Sequence, residues 1–382
     1  MHLGGLDMEL TNIRLGDYIE RSTINNKELK YGVDLIVGVN SQGVFAAPKG
    51  NTDGVDLKPY KIVENGAFVY NPTRLELGSI AYRTEGLCIV SHLYMVFYLT
   101  DEGKKIIDPM WLYIYFRRSE FCREVKFRNF GSQRPEFNFN DMSDIVIPLP
   151  DIEIQKKYVD IYNAMLENQK SYEYGLEDLK LACDAYIEDL KHGIHCKAIG
   201  PYVERHDVRN RTNEIKNVMG VSTSKEFREP TSKVNRNELS NYKIVRPRQI
   251  SFVQTTHNEK VFAYAFNNTE DDIVVTSVNE VFSVDEDKLL PEYLCMFFNR
   301  TEFDRYARFH SWGSARETFT WDDLVKVEIP IADMKTQKSI ADIYKAYKER
   351  KAINEKLKAQ IKDICPILIK GSIEEARKAK EA

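Results

Sequence analysis

The chain has 382 residues, 43% of them hydrophobic and 29% charged, with a formal net charge of −4. These values exclude wholesale disorder and a uniformly basic nucleic-acid coat, though not a local basic face, because binding follows local charge. The length suggests roughly two to three domains. The six cysteines (Cys88, Cys122, Cys183, Cys196, Cys295 and Cys365) form no CxxC pair. A disulfide scaffold is therefore not expected, and a reducing compartment fits best. No stretch offers roughly 18 apolar residues together, and the start has neither a basic flank nor an apolar run. The expectation is a cytoplasmic protein with no signal peptide and no membrane span.

In chain order, residues 66–70, 79–82, 88–90 and 95–98 read as strands, β-branched and aromatic with turn residues between them. Residues 109–118 read as a helix opened by Pro109, and 145–148 as a closing strand. The period then changes. Apolar residues recur at Tyr158, Ile161, Met165, Tyr172, Leu176, Leu179, Cys183, Tyr186 and Leu190, in steps mostly of 3 and 4. That is a coiled-coil pattern, and Gly193 stands where the helix should stop. Strands are expected again at 249–253, 261–264, 273–275 and 280–283, and a helix at 291–300. A second stripe runs through Ile340, Ile343, Tyr347, Leu357, Ile361, Ile364 and Leu368, with Asn354 inside it as a residue able to fix register. Pro366 should kink or end that helix. Each stripe implies a helix of roughly 50–60 Å. Two such helices can pack on each other, or each can lie on its own domain.

The chain repeats itself at a shift of 182 residues. Tyr60-Lys61-Ile62-Val63 falls on Tyr242-Lys243-Ile244-Val245, and Ala81-Tyr82 on Ala263-Tyr264. Gly131-Ser132-Gln133-Arg134 falls on Gly313-Ser314-Ala315-Arg316, and Asp160-Ile161-Tyr162 on Asp342-Ile343-Tyr344. Two copies of one unit suggest pseudo-twofold symmetry, which suits a target with twofold axes such as duplex DNA.

Enzymatic signatures are missing. There is no GxxxxGK[ST], no GxGxxG and no HExxH. Asn71-Pro72-Thr73-Arg74 is similar to a methyltransferase loop but lacks its second proline and its aromatic residue. His192, His195 and Cys196 have zinc-like spacing without an evident fourth ligand, and a helix C-terminus explains histidine there equally. Neither a catalytic residue nor a metal site is assigned.

Basic residues do cluster. Residues 197–248 hold 12 Lys/Arg against 6 Asp/Glu. Lys225, Arg228, Lys233 and Arg236 fall in a polar stretch, and Arg246 stands just before a strand. In the first copy, Arg117, Arg118, Arg123, Lys126, Arg128 and Arg134 lie close together. Guanidinium forks suit phosphate oxygens and the guanine edge, although a solvated surface would look the same. The repeated Gly-Ser-x-Arg is either a phosphate-holding loop or a tight turn with a surface arginine.

Taken in order, the motifs resemble the specificity subunits of type I restriction-modification systems. They are Phe68 to Arg74 with Gly78-Ser79-Ile80, then Asp108-Pro109 with Leu112, then Gly131-Ser132-Gln133-Arg134. The closing run is Ile147-Pro148-Leu149-Pro150-Asp151-Ile152-Glu153-Ile154-Gln155. The second copy departs at its closure, where Ile329-Pro330-Ile331-Ala332 loses the second proline. The resemblance covers essentially the whole chain. It implies an α+β protein in which two mixed α/β target-recognition domains are separated by two long antiparallel coiled-coil helices, as a pseudo-twofold internal repeat. The divisions would be a first recognition domain at 1–150, a central spacer helix at 151–193, a second recognition domain at 194–333 and a C-terminal spacer helix at 334–382.

The function implied is that of a non-catalytic subunit. Each domain would read half of a bipartite DNA target, and the helices would set the gap and dock two methyltransferase subunits, with restriction or translocase subunits as further partners. S-adenosylmethionine, ATP and Mg²⁺ would belong to those partners and not to this chain. The residues expected at DNA are Arg74, Arg128, Gly131, Ser132, Arg134, Lys225, Arg228, Lys233, Arg236, Arg246, Gly313, Ser314 and Arg316. Those expected in helix packing are Tyr158, Ile161, Met165, Tyr172, Leu179, Ile340, Ile343, Tyr347, Leu357 and Ile361. A specificity subunit of a related defence system with a fused modification-cleavage partner, and a stand-alone DNA-binding adaptor, are the alternative readings.

Overall fold

The computed structural model describes residues 11–48, 50–129, 136–255, 261–311 and 318–381. The chain divides into two compact units, Met1–Ser171 with Asn354–Ala382, and Tyr172–Ile353. The two long helices run Ile152–Gly193 and Met334–Glu381. Neither forms a body of its own, as each gives part of its length to each unit.

In the first unit a four-stranded antiparallel sheet has the order Ile19–Ser22, Met95–Leu99, Phe68–Tyr70, Ile80–Tyr82. The second unit repeats it as Val203–His206, Asn279–Val284, Ile250–Val253, Tyr264–Phe266. Three two-stranded ladders recur in the same order, among them a short hairpin, Gly38–Val39 with Phe45–Ala46 and Gly220–Val221 with Phe227–Arg228. The strand expected at 261–264 lies instead at Tyr264–Phe266, where Tyr264 faces Phe252 and Phe266 faces Ile250.

The sheets' inner faces carry the aromatics. Phe68 and Phe97 stack with centroids 5.0 Å apart, and Phe116 meets both edge-on. Helix Pro109–Phe116 starts where the side chain of Asp108 accepts from the N–H groups of Met110 (2.8 Å) and Trp111 (3.1 Å), with Pro109 in the first turn. In the second unit Leu290 holds that position before helix Pro291–Asn299 and offers no such cap.

A glutamine ties each long helix to its unit. Gln155 accepts from the Asp108 N–H at 2.8 Å and donates to the carbonyls of Ile106 (2.8 Å) and Pro150 (2.7 Å). Gln337 accepts from the Leu290 N–H at 2.9 Å and donates to the carbonyls of Lys288 and Ala332. Both glutamines are fully buried, and each satisfies three backbone groups.

The packed seam of the first helix follows a heptad through Gln155, Val159, Tyr162, Leu166, Gln169, Leu176, Cys183, Ile187 and Leu190. Ile161 falls outside it and is 45% exposed, as is Tyr186, which corrects their placement in the stripe. Both stand one residue before a true seam position. Tyr158 and Met165 pack against the first core, Tyr172 and Leu179 are half-buried, and the Tyr158 hydroxyl donates to Glu375 at 3.1 Å. On the second helix Ile340 and Ile361 are buried, and Ile343, Tyr347 and Leu357 are half-buried. Within the first unit the helices run antiparallel, since Tyr158 meets Glu375 whereas Gln169 donates to Asn354 at 2.9 Å. That buried amide pair is the register device expected of Asn354.

The second helix neither ends nor breaks at Pro366. Cys365, Leu368 and Ile369 on either side are buried in the first unit's core, and that packing holds the helix together despite the lost hydrogen bond. No helix among the described residues is long and apolar enough to cross a membrane. His192 and His195 are exposed and Cys196 begins a strand; among the described residues no three His, Cys, Asp or Glu gather as metal ligands.

Candidate nucleic-acid interface

Each unit has an anchor point just after its central strand, a turn in the first and Gln254 in the second. In the first, Asn71 accepts from the Thr73 N–H (3.1 Å) and hydroxyl (2.9 Å), and Arg74 follows with its side chain exposed. Gly78 closes the turn at φ +87°, a left-handed conformation that favours glycine. The Phe137 N–H donates to the Pro72 carbonyl at 3.0 Å, and in the second unit Phe319 donates to Gln254 at 2.8 Å. Both phenylalanines are fully buried and lead into a capped helical turn, Asn138 with Asp141 and Thr320 with Asp323. The segment just after each Gly-Ser-x-Arg is thus anchored to the residue, Pro72 or Gln254, that follows the central strand. Gly131, Ser132, Arg134, Gly313, Ser314 and Arg316 themselves lie outside the described residues.

The first basic cluster largely neutralises itself. Arg117 is buried and donates to the Gly78 carbonyl at 2.5 Å, and Arg118 lies over the Tyr115 ring at 3.7 Å. Arg123 pairs with Glu120, and Arg128 with Glu124 at 2.8 Å. Lys126 is exposed and has no partner among the described residues.

In the second unit Lys225 is a correction. It is 7% exposed, and its ammonium donates to the Phe298 carbonyl (2.7 Å) and to Asp304 (3.0 Å). Burial pulls its pKa down, with Asp304 opposing. Such a group pins its hairpin and is unavailable to DNA. By contrast Arg228, Lys233 and Arg246 are exposed and have no side-chain partner among the described residues. Arg236 is exposed and stands 4.0 Å from Glu229. The loop carrying it is held from behind, as Lys216 donates to the Arg236 carbonyl (3.0 Å) and Asn213 to the Asn237 carbonyl (2.7 Å). The backbone is fixed while the cationic side chains of Lys233 and Arg236 stay in solvent.

One group of residues escaped the sequence reading. In the second unit Glu280 is buried among three donors: Arg205 at 2.7 and 2.9 Å, Lys243 at 3.3 Å, and Gln254. In the first unit Arg21 and Lys61 hold the places of Arg205 and Lys243, but the residue opposite Tyr70 is Met95, where Glu280 stands opposite Phe252. Lys61 reaches only the Tyr94 carbonyl, at 2.5 Å. Burial lowers its pKa and the charge of Arg21 lowers it further. Arg21 is exposed with no counter-ion among the described residues, and the buried Tyr70 hydroxyl has no hydrogen-bond partner there. Arg21 was missed because it is a lone basic residue in its strand; the repeat shift onto Arg205 was the available signal.

Fold and surface together define a duplicated α+β protein whose two units share one topology and differ in the charges around their main sheets. The family model for the type I restriction modification DNA specificity domain matches twice, over residues 9–173 and 201–363. The chain belongs to that family. It is similar in fold to the S subunit of a type I restriction-modification system from M. genitalium, at TM-score 0.57 and 11% identity, over 98% of each chain. The HsdS subunit from Thermoanaerobacter tengcongensis matches at TM-score 0.40 and 15% identity, over 96% of this chain and 97% of its own. A type I system described for its complex assembly and conformational transition matches at TM-score 0.47 and 15% identity, over 98% of each chain. No curated protein matches the sequence.

Proposed function

We propose that this chain is the non-catalytic DNA-specificity subunit of a type I restriction-modification complex, with each unit reading one half of a bipartite target. The observation that carries this is the family match to each of the two repeats in turn. The difference between Arg21 beside Met95 and Arg205 locked on Glu280 supports two unlike half-sites. The long helices set the unread gap, and they and the recognition units dock two methyltransferase subunits; restriction or translocase subunits join the same assembly. S-adenosylmethionine, ATP and Mg²⁺ are used by those partners. Lysine and arginine hold the duplex through phosphates with salt-dependent affinity, and loop side chains read bases at roughly 1–3 kcal/mol per good bidentate contact.

The test assembles the chain with the methyltransferase encoded beside it and selects binders from random duplex DNA. Two short fixed blocks around a gap of constant length are expected. An intact complex that enriches no sequence overturns the reading.

A further inference from the structure

Two large aromatic side chains stand in water at the same place in both repeats. Phe127 is 83% exposed and Phe309 is 81% exposed, and a shift of 182 residues superposes one on the other. Each lies near the end of a short helix, Ser119–Arg128 or Thr301–Phe309. Each helix buries its other face, through Phe121 and Val125 or Phe303 and Ala307. The exposed ring comes two residues after the last buried one, which is roughly 200° around the helix. Among the described residues no core cluster of either unit includes that phenylalanine.

Single exposed apolar residues are ordinary. Exposed aliphatic residues also recur, at Ile24 and Val208 and at Leu93 and Val278, but Phe127 and Phe309 form the pair in which a whole aromatic ring stands in water beside a basic residue. The neighbours also recur in kind: Lys126 and Arg128 flank Phe127, and Arg308 and His310 flank Phe309. Lys126 and Arg308 are exposed without partners among the described residues. In the second unit the His310 ring sits between Tyr306, at 4.3 Å, and Phe309, at 5.2 Å, so the exposed ring continues an aromatic series. In the first unit the helix packs against the turn Leu75–Leu77, just after Arg74. An apolar ring beside an unpaired cation, Lys126 or Arg308, suits a polyanion that also offers apolar surface, and it disfavours a basic or purely apolar protein face.

We propose that Phe127 and Phe309 each make an apolar contact with a base of the DNA duplex, one per half-site, while Lys126 and Arg308 hold adjacent phosphates. This rests on the DNA-reading function proposed above. A ring can meet a thymine methyl or enter between base steps, and both place it against bases where a cation alone would touch only phosphate.

The experiment uses the full chain co-assembled with its methyltransferase and a random duplex pool. First the wild-type motif is selected; failure there, with the complex intact, removes the DNA reading and this proposal with it. On the selected duplex, Phe127→Ala and Phe309→Ala should each weaken binding roughly 5- to 100-fold. Repeated selection should show sequence preference relaxed in one block for Phe127→Ala and in the other for Phe309→Ala. Phe→Tyr at either site should restore most of the affinity, and Lys126→Ala should instead lower the salt dependence without changing the motif. Unchanged affinity and motif in both alanine variants overturns the proposal. So does an unchanged motif with loss of co-purifying methyltransferase, which would make the rings a protein-docking feature.

Discussion

Gly43 and Lys225 occupy the same hairpin turn in the two repeats, both left-handed, with φ of +75° and +63°. What the glycine leaves open in one unit, a cation from elsewhere fills. An ideal Cβ at Gly43 would lie 2.5 Å from Arg117 Nη1, and Arg117 donates back to the Gly78 carbonyl. In the second unit Asn299 stands at the position of Arg117, and Lys225 itself supplies the charge, reaching the Phe298 carbonyl at 2.7 Å. Both units keep a buried cation under the hairpin, carried by opposite partners. Gly43→Lys alone should therefore destabilise the first unit by about 2–4 kcal/mol, through collision and an added buried charge. Arg117→Asn alone should cost a similar amount. The double variant should cost less than the sum, a non-additivity that a double-mutant cycle in urea unfolding would measure. Strict additivity would mean the two cations do not substitute for each other.

Gln155 and Gln337 make a second matched pair. Replacement of either by alanine leaves one buried N–H and two carbonyls without that partner, so each variant should lose about 2–4 kcal/mol. The two costs should agree closely, because the bonds run to equivalent backbone groups at 2.7–2.9 Å. Hydrogen exchange at Asp108 and Leu290 would localise the damage. Loss of protection confined to the mutated unit is expected, and no loss would show that water replaces the glutamine without cost.

Much of this architecture was legible before any coordinates. Most strands, the two helices opened by Pro109 and Pro291 and the stop at Gly193 follow from local chemistry that acts within a few residues. Ile161 was misread, and the helix does not end at Pro366, because both outcomes depend on long-range packing. The seam passes one residue beside Ile161, and the core around Leu368 and Ile369 overrides the proline. Lys225 illustrates the limit for the site. A sequence shows a basic stretch but not which of its members turns inward, and Arg228 and Lys225 stand three residues apart with opposite fates. Phe127 and Phe309 are the converse, since an aromatic residue in a helix reads as core until its exposure is known.

The Arg300 guanidinium supplies a pH-dependent prediction. It is buried, with Nη2 donating to Glu188 at 2.6 Å and Nε lying 2.9 Å from Asp184. The hydrogen bond from Arg300, and then that from Lys191, holds the Glu188 carboxyl below its usual 4.5. A depressed carboxylate contributes stability that is present above the unfolded value and is lost as pH falls through the folded one. Wild type should therefore lose part of its stability below pH 4.5, toward the lowered folded value. Glu188→Gln should be less stable at neutral pH and should lack that component of the acid loss. Thermal midpoints from pH 3 to 7 would show two curves that converge in acid; parallel curves would exclude Glu188 as the titrating partner. In the first unit Arg118 meets no such acids among the described residues, because Pro366 and Lys370 hold the positions equivalent to Asp184 and Glu188, and it lies over Tyr115 instead.

If the two units read DNA as proposed, Arg21 and Arg205 should distinguish them. Both stand on the strand that borders the main sheet, facing Phe97 and Phe282 respectively. Arg205 is neutralised by Glu280 with two short bonds, and Arg21 faces Met95's side of its sheet with no carboxylate among the described residues. A phosphate contact contributes about −0.9 to the slope of log affinity against log salt. Arg21→Ala should therefore weaken DNA binding across sequences and make that slope shallower by roughly one. Arg205→Ala should leave the slope nearly unchanged, since its charge is already matched, and should instead destabilise the second unit by leaving the buried Glu280 carboxylate with Lys243 and Gln254 alone among the described residues. Introducing the acid into the first unit by Met95→Glu should mimic the loss of Arg21 without removing it. Binding isotherms of the four proteins at several salt concentrations would decide the matter: equal slope changes for Arg21→Ala and Arg205→Ala would mean that Glu280 does not silence its arginine.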